Sequence, residues 1–267
     1  TAVAKDINQT LAAKDGPIVP LIAETGGQNA MIVDSTALPE HVVDDVITSA
    51  FGSAGQRCSA LRILCLQDDI ADKVIRMLRG AMAEIRVGSP GELSTDIGPV
   101  IDDEARASLV RHRRNLEGFG RLIAEVSHGE KDGHYFSPCA YEIDSIDVLK
   151  REVFGPILHV VRFKRSEIDT LIDEINATGY GLTFGVHSRI DSFHKRVADK
   201  ARAGNVYVNR SMIGAVVGSQ PFGGMGLSGT GPKAGGPNYL KAFAHEKVIS
   251  IDTTAAGGNA SLVSLAE

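Results

Sequence analysis

The chain contains no tryptophan and only three cysteines, Cys58, Cys65 and Cys139, in 267 residues. Three scattered thiols cannot make a disulfide framework and lack the spacing of a zinc site. No apolar run reaches the roughly 18 residues that a membrane-spanning helix needs. The first residues do not follow the order of a signal peptide, so the Asn-x-Ser/Thr matches at Asn8, Asn209 and Asn259 read as chance. Positive charge is not in excess. The 28 Lys and Arg face 33 Asp and Glu, and a net charge of −5 gives no general pull toward nucleic acid or an anionic membrane. The eight His form no H-x-H or H-x-x-x-H pair, so no metal site is expected.

What is present is ordinary for a globular protein. Hydrophobic residues make up 43% and charged residues 23%, which excludes wholesale disorder, collagen and coiled coil. Residue 1 is Thr, and Thr1-Ala2-Val3-Ala4-Lys5 runs into a helical pattern without a capping residue. The expectation is a chain cut from something longer, with removal of an initiator Met as the alternative. Val3, Ile7 and Leu11 form a helical stripe that Gly16-Pro17 ends. Strands are expected at 18–23, 31–33, 62–66, 122–126, 157–163, 183–187, 205–208 and 247–251. Helices are expected at 39–51, 70–86, 101–116, 191–202 and, capped by Ser166, through Ile175. Helix and strand alternate, and several strands are continuous apolar runs. That pattern predicts an α/β fold with a mostly parallel sheet covered on both faces.

Between Gly204 and Pro237 the periodicity breaks, and ten of 34 residues are Gly. A long irregular stretch inside a compact domain is usually functional. Gly224-Met225-Gly226-Leu227-Ser228-Gly229 matches G-x-G-x-x-G, but no strand leads into it and Pro232 and Pro237 prevent a following helix. It reads as a backbone wall and not as a dinucleotide fingerprint. The run Arg111-His112-Arg113-Arg114 reads as a solvated helix face. Cys65 falls in an apolar strand and reads as core, and Cys139 has no chemistry-bearing context. Cys58 differs. It follows Arg57 in a loop between a helix and a strand, where a thiol is partly exposed and shifted toward thiolate. An inert thiol is the alternative. Glu24 ends the apolar run 18–23 and precedes Thr25-Gly26-Gly27. Open parallel sheets bind ligands at the carboxyl ends of their strands, and two glycines permit close approach. A capping or ion-paired Glu is the alternative.

Four motifs stand in order: Glu24-Thr25-Gly26-Gly27, Gly55-Gln56-Arg57-Cys58, Glu152-Val153-Phe154-Gly155-Pro156 and Pro221-Phe222-Gly223-Gly224. Together with Gly98-Pro99-Val100-Ile101, Tyr180-Gly181-Leu182 and the block from Ala203 to Asn209, they resemble the aldehyde dehydrogenase superfamily. Within it, the stretches from Ile213 to Gln220, from Gly229 to Pro237 and from Thr253 to Ser261 resemble the L-glutamate gamma-semialdehyde (delta-1-pyrroline-5-carboxylate) dehydrogenase branch. The form closest in pattern is the one fused into bacterial bifunctional proline utilization proteins.

The resemblance implies the three-layer, mostly parallel sheet of the aldehyde dehydrogenase catalytic domain. It divides the chain into the last helix and strand of an NAD-binding domain (1–27), a catalytic domain (28–243) and an oligomerisation strand with its tail (244–267). It implies Cys58 as the nucleophile and its own N–H as an oxyanion donor, with Glu24 as the general base. For the cofactor, NAD, it implies Glu152 at the nicotinamide ribose, Phe154 against the ring, Val3 near the adenine, and Gly26. For a substrate carboxylate it implies Ser59 and the amides of Gly214 and Ala215, with Phe222 along the aliphatic chain. The family's nucleotide-binding half precedes its catalytic half, and most of it lies outside this sequence. The implied partners are that half, a proline dehydrogenase domain carrying FAD, and further copies in a cytoplasmic oligomer. Dehydrogenases of succinate semialdehyde or of simple alkanals, and a non-enzymatic fragment, stay open as alternatives.

Overall fold

The computed structural model describes residues 1–129, 132–216 and 218–252. Val217 and the tail 253–267 lie outside the described residues. Strand β1 (Asn29–Val33) and strand β2 (Leu61–Gln67) are buried at every position. A strand that is apolar on both faces needs cover on both faces, and this pair forms the centre of the sheet. They are joined by β3 (Arg121–Glu125), β4 (Cys139–Glu142), β5 (Ile157–Phe163), β7 (Thr183–His187) and β8 (Asn205–Val208) in the order β3-β4-β5-β2-β1-β7-β8. All neighbours are parallel except β3 and β4. A two-residue antiparallel ladder links β6 (Tyr180–Gly181) to β9 (Met225–Gly226).

The helices are α1 (Ala2–Ala13), α2 (Pro39–Phe51), α3 (Asp68–Ala83), α4 (Asp103–Leu116), α5 (Ile168–Ala177) and α6 (Asp191–Lys200). Pro39 opens α2 with its φ already suited to a helix. The Asp102 carboxylate caps α4 by accepting from the Ala105 N–H at 2.8 Å, with acids in the first turn and Arg113 and Arg114 in the last. Helix α3 turns Ile70, Val74, Ile75, Leu78 and Met82 inward, the spacing of one helical face.

The structure departs from the expected elements in four places. The run 18–23 is not a strand: Ile18 is fully exposed, and the backbone is tied to the glycine-rich stretch by an isolated bridge, Glu24 with Gly229, and by Thr230, with no ladder. The run 247–251 is not a strand either, and Val248 is 91% exposed. Both have β composition but no neighbouring strand to complete a ladder, and β structure is a property of a pair. Cys139–Glu142, unmarked in the sequence, becomes β4 because β3 and β5 flank it. The helix expected from Ser166 begins as a 3-10 turn at Arg165–Glu167 before α5.

Candidate active site

Glu24 to Gly27 lead into β1, Cys58 leads into β2 and Glu152 leads into β5. Because these strands are parallel, the three loops meet at one edge of the sheet. It is the amino edge. The expectation that Glu24 sits at the carboxyl end of a strand is therefore corrected, since the strand it was assigned to does not form.

The loop before Cys58 is held in an unusual backbone. After α2, a 3-10 turn spans Gly52–Gly55, and Ser53, Ala54 and Gly55 have φ of 56°, 52° and 64°. Two non-glycine residues in the left-handed region store strain, which persists only where surrounding contacts enforce it. Here they do. A Cβ on Gly55 would stand 2.3 Å from the Gly155 carbonyl oxygen, so the two loops touch backbone to backbone. The Asn29 amide donates to the carbonyls of Cys58 (2.7 Å) and Ala60 (2.9 Å) and accepts from the Thr183 N–H (3.1 Å). Thr183 Oγ1 donates to the Ser59 carbonyl at 3.2 Å.

Cys58 is half-buried. Burial pushes its thiol up, and the negative charges of Glu152 and Glu24 push the same way, against hydrogen bonds from the Ser59 and Cys58 N–H groups. The expectation of a shift toward thiolate is corrected. The Arg57 guanidinium on which it rested turns back to donate to Ser53 Oγ at 3.0 Å. Glu24 is also pushed up, chiefly by burial, with the Gly224 N–H (3.2 Å to Oε2) and the Lys233 charge opposing. A Cβ on Gly223 would lie 2.8 Å from Glu24 Oε1, and one on Gly229 would lie 3.3 Å away. The glycine-rich stretch is thus the wall against which Glu24 rests.

Burial raises Glu152 as well, while Arg62 and the Gly27 N–H oppose. Its carboxylate lies where a Cβ on Gly26 would be, 1.7 Å from Oε2, so Gly26 is required for that placement. Arg62, whose side chain is 2% exposed, donates to Glu152 Oε1 at 3.3 Å and lies 5.3 Å from the centroid of the Phe154 ring. Glu152 and Phe154 line a groove of about 700 Å³ that runs to Ser108 and His112 on α4. A second cavity, of about 260 Å³, lies between Thr1, Lys5 and Asn8 of the α1 segment and Thr25, Leu227 and Thr230.

The structure brings Cys58, Ser59, Glu24, Gly26, Glu152 and Phe154 to one place. Gly214, at φ 75°, and Ala215 follow a loop docked on the end of α2, where the Met212 N–H donates to Ser49 Oγ at 3.0 Å. Phe222 is half-buried and paired through its backbone with Ala234. Val3 is 70% exposed on α1 and is not part of the smaller cavity's wall. Asn29 and Arg62 escape sequence reasoning; their one signal is a polar residue inside an otherwise apolar strand. Among the described residues no three His, Cys, Asp or Glu converge as metal ligands, and no helix is long and apolar enough to cross a membrane.

Comparison with known proteins agrees with this arrangement. The profile of the aldehyde dehydrogenase family matches residues 1–249. The chain is 56% identical over 262 residues to the bifunctional protein PutA of Salmonella typhimurium, covering 95% of this chain and 20% of that protein. It is 34% identical over 232 residues to a 1-pyrroline-5-carboxylate dehydrogenase of Geobacillus sp. (strain WCH70), covering 86% of this chain and 45% of that one. The fold superposes on a crystal structure of bifunctional proline utilization A with a TM-score of 0.90 at 56% identity, covering 96% of this chain and 26% of that one. A Thermus 1-pyrroline-5-carboxylate dehydrogenase crystallised with bound NAD gives 0.84 at 32% identity, covering 91% and 47%. The chain thus spans about a fifth of the PutA relative and under half of the shorter dehydrogenase. With the profile matched over most of its length and the four motifs gathered at one sheet edge, the chain belongs to the aldehyde dehydrogenase family.

Proposed function

We propose that this chain is the catalytic half of an NAD-dependent L-glutamate gamma-semialdehyde dehydrogenase of proline catabolism. The parent is a cytoplasmic, oligomeric protein that also holds a nucleotide-binding half and a proline dehydrogenase domain with FAD. The observation that carries the reading is the half-buried Cys58 thiol within electrostatic reach of both Glu24 and Glu152. Its support from outside the chain is the 56% identity to PutA.

The residues fit a nicotinamide dinucleotide. Glu152, a carboxylate with its outer face on an open groove, suits ribose hydroxyls, and the 45% exposed Phe154 ring offers an apolar plane. Gly26 leaves the space that Glu152 fills, and Val3 belongs on the adenine side. When bound, the cofactor supplies the oxidation by accepting the hydride of the aldehyde carbon. Everything else falls to this chain. Cys58 gives up its proton to Glu24, which passes it on to solvent, and Sγ attacks the aldehyde carbon, while its own N–H donates to the oxygen that becomes negative. After oxidation the acyl group rests on Cys58 as a thioester. Glu24 takes a proton from water, the hydroxide attacks the thioester carbon, and glutamate leaves as Cys58 is reprotonated. Ser59 and the amides of Gly214 and Ala215 receive the substrate's carboxylate, and Phe222 lies along its methylene chain.

The test is turnover by the intact protein. Cys58→Ser should lower it by several orders of magnitude, because a hydroxyl is a far weaker nucleophile near neutral pH. Wild-type kcat/KM should favour glutamate semialdehyde over succinate semialdehyde and over an alkanal of equal length. Preference for either of those would move the assignment to another branch of the family.

A further inference from the structure

Arg62 is a charge buried in the middle of the sheet, four residues after Cys58, on a strand whose neighbours Leu61, Ile63, Leu64, Cys65 and Leu66 are wholly buried. Desolvating a guanidinium is costly, and a buried ion pair is weak evidence for a stabilising role. Its hydrogen bonds are informative. Nη1 donates to the carbonyls of Gly55 (2.7 Å) and Gly155 (3.0 Å). Nη2 donates to the carbonyl of Arg57 (3.2 Å) and to Glu152 Oε1 (3.3 Å). All four Nη hydrogens are used. Two go to the loop that presents Cys58, one to the loop that follows Glu152, and one to Glu152 itself. The strand end is fixed in turn, because the Arg62 carbonyl accepts from His159 Nδ1 at 2.9 Å.

The Arg57 carbonyl belongs to the same peptide unit as the Cys58 N–H. In a planar trans peptide the two point in opposite directions. The Arg57 oxygen is drawn inward by Arg62 together with the Ala60 N–H (3.0 Å), which turns the Cys58 N–H outward, and that N–H, with the Ser59 N–H, faces the Cys58 sulfur. An oxygen bonded to the carbon that this sulfur attacks comes within the same cone. We propose that Arg62 is a positioning residue: it aims the Cys58 N–H at the developing oxyanion and, through the same fork, holds Glu152 toward the cofactor groove. Nucleophile loop and cofactor carboxylate are thereby registered to one rigid group. Lysine cannot replace it, since one ammonium lacks the planar fork that spans four acceptors. The proposal rests on the dehydrogenase reading above.

The experiment uses the intact protein with NAD and glutamate semialdehyde. Arg62→Lys keeps the charge and loses the fork. Single-turnover NADH formation should fall about 10- to 100-fold, less than or comparable to deletion of an oxyanion donor. KM for NAD should rise severalfold, because Glu152 keeps only the Gly27 N–H. Alkylation of Cys58 by iodoacetamide needs a thiolate and no oxyanion donor, so its high-pH plateau should stay within about threefold of wild type. In Arg62→Ala, methylguanidine should restore single-turnover NADH formation and methylamine should not. NADH formation within threefold of wild type in Arg62→Lys overturns the proposal. So does a parallel loss of NADH formation, alkylation and thermal stability without rescue by methylguanidine, which assigns Arg62 to folding alone. Failure of the underlying reading is separately visible, as absence of wild-type turnover with this aldehyde.

Discussion

At the scale of single residues, the proposed chemistry turns on a thiol that rests protonated. Arg57 looks from the sequence like an activator of Cys58, but its guanidinium is spent on Ser53. The charges that push Cys58 up are negative, with Glu152 the stronger and Glu24 the weaker, and the buried Arg62 guanidinium couples to the thiol in the opposite sense. Both carboxylates hold the thiol proton on, and removing either should let it leave at lower pH. The midpoint of the iodoacetamide rate against pH should therefore be highest in wild type, lower in Glu24→Gln and lower still in Glu152→Gln. A wild-type midpoint below that of a free thiol, or the reverse order of variants, would show that another group controls Cys58. Gly26 gives a second residue-scale test. Its added Cβ would meet Glu152 Oε2 at 1.7 Å, but that atom ends a side chain and can swing away. Gly26→Ala should therefore raise KM for NAD about tenfold or more, and should lower thermal stability through the ion pair that buried Arg62 loses rather than through a backbone clash. Unchanged NAD kinetics would remove Glu152 from the cofactor site.

At the scale of elements, the contrast with Gly204 is instructive. A Cβ there would lie 1.7 Å from the Gly223 carbonyl oxygen, and no rotamer relieves a clash with backbone. Gly204→Ala should cost about 1–3 kcal/mol or more, read as a lower urea midpoint with wild-type slope. An unchanged midpoint would mean that the 223–224 backbone yields freely. The same distinction explains what was legible in the sequence. The spans 39–51, 157–163, 183–187 and 205–208 fall where expected, because the first is a helix with an apolar stripe and the others are strand runs, and the partners of all four lie within the described residues. The runs 18–23 and 247–251 carry the same composition without partners, so composition misleads there. Four-residue β4, preceded by Pro138, has no signal of its own and exists through its neighbours. Cys58 stood out by its loop between a helix and a strand, Glu24 by the two glycines after it although the strand assigned before it does not form, and Glu152 only by the resemblance of its motif. Asn29 and Arg62 were not legible, because what they do depends on carbonyls brought close by the parallel register, which one-dimensional spacing does not contain.

At the scale of the whole molecule, three histidines set how stability responds to acid. His159 is held down to about 3, His112 to about 4 and His187 to about 4, each chiefly by burial. The first two form a pair with Nε2 atoms 2.8 Å apart. His159 Nδ1 faces the Arg62 carbonyl, which only accepts, so its proton lies on Nδ1 and its Nε2 is a lone pair. His112 must then donate through Nε2, and the pair is intact only while His159 is neutral, since a second proton on that ring would take its one acceptor. In the unfolded chain all three titrate near pH ~6.5. Between about pH 6.5 and 4 the unfolded chain binds protons that the folded one refuses. Stability therefore rises with pH across this window and is lost as pH falls, by up to about 1.4 kcal/mol per pH unit for each histidine. Glu24 and Glu152, pushed up by burial, take protons earlier in the folded state and offset part of the loss. The ion-paired Asp72, Asp103, Asp169 and Asp191, all held down by basic partners, act only at the acid end. The urea midpoint of the intact protein should accordingly be clearly lower at pH 5 than at pH 7.5. His112→Gln keeps an N–H donor of similar reach without a basic nitrogen, and should remove about one proton's share of that slope. A midpoint flat between pH 7.5 and 5, or a slope untouched in His112→Gln, would mean that the folded protein admits protons to this pair.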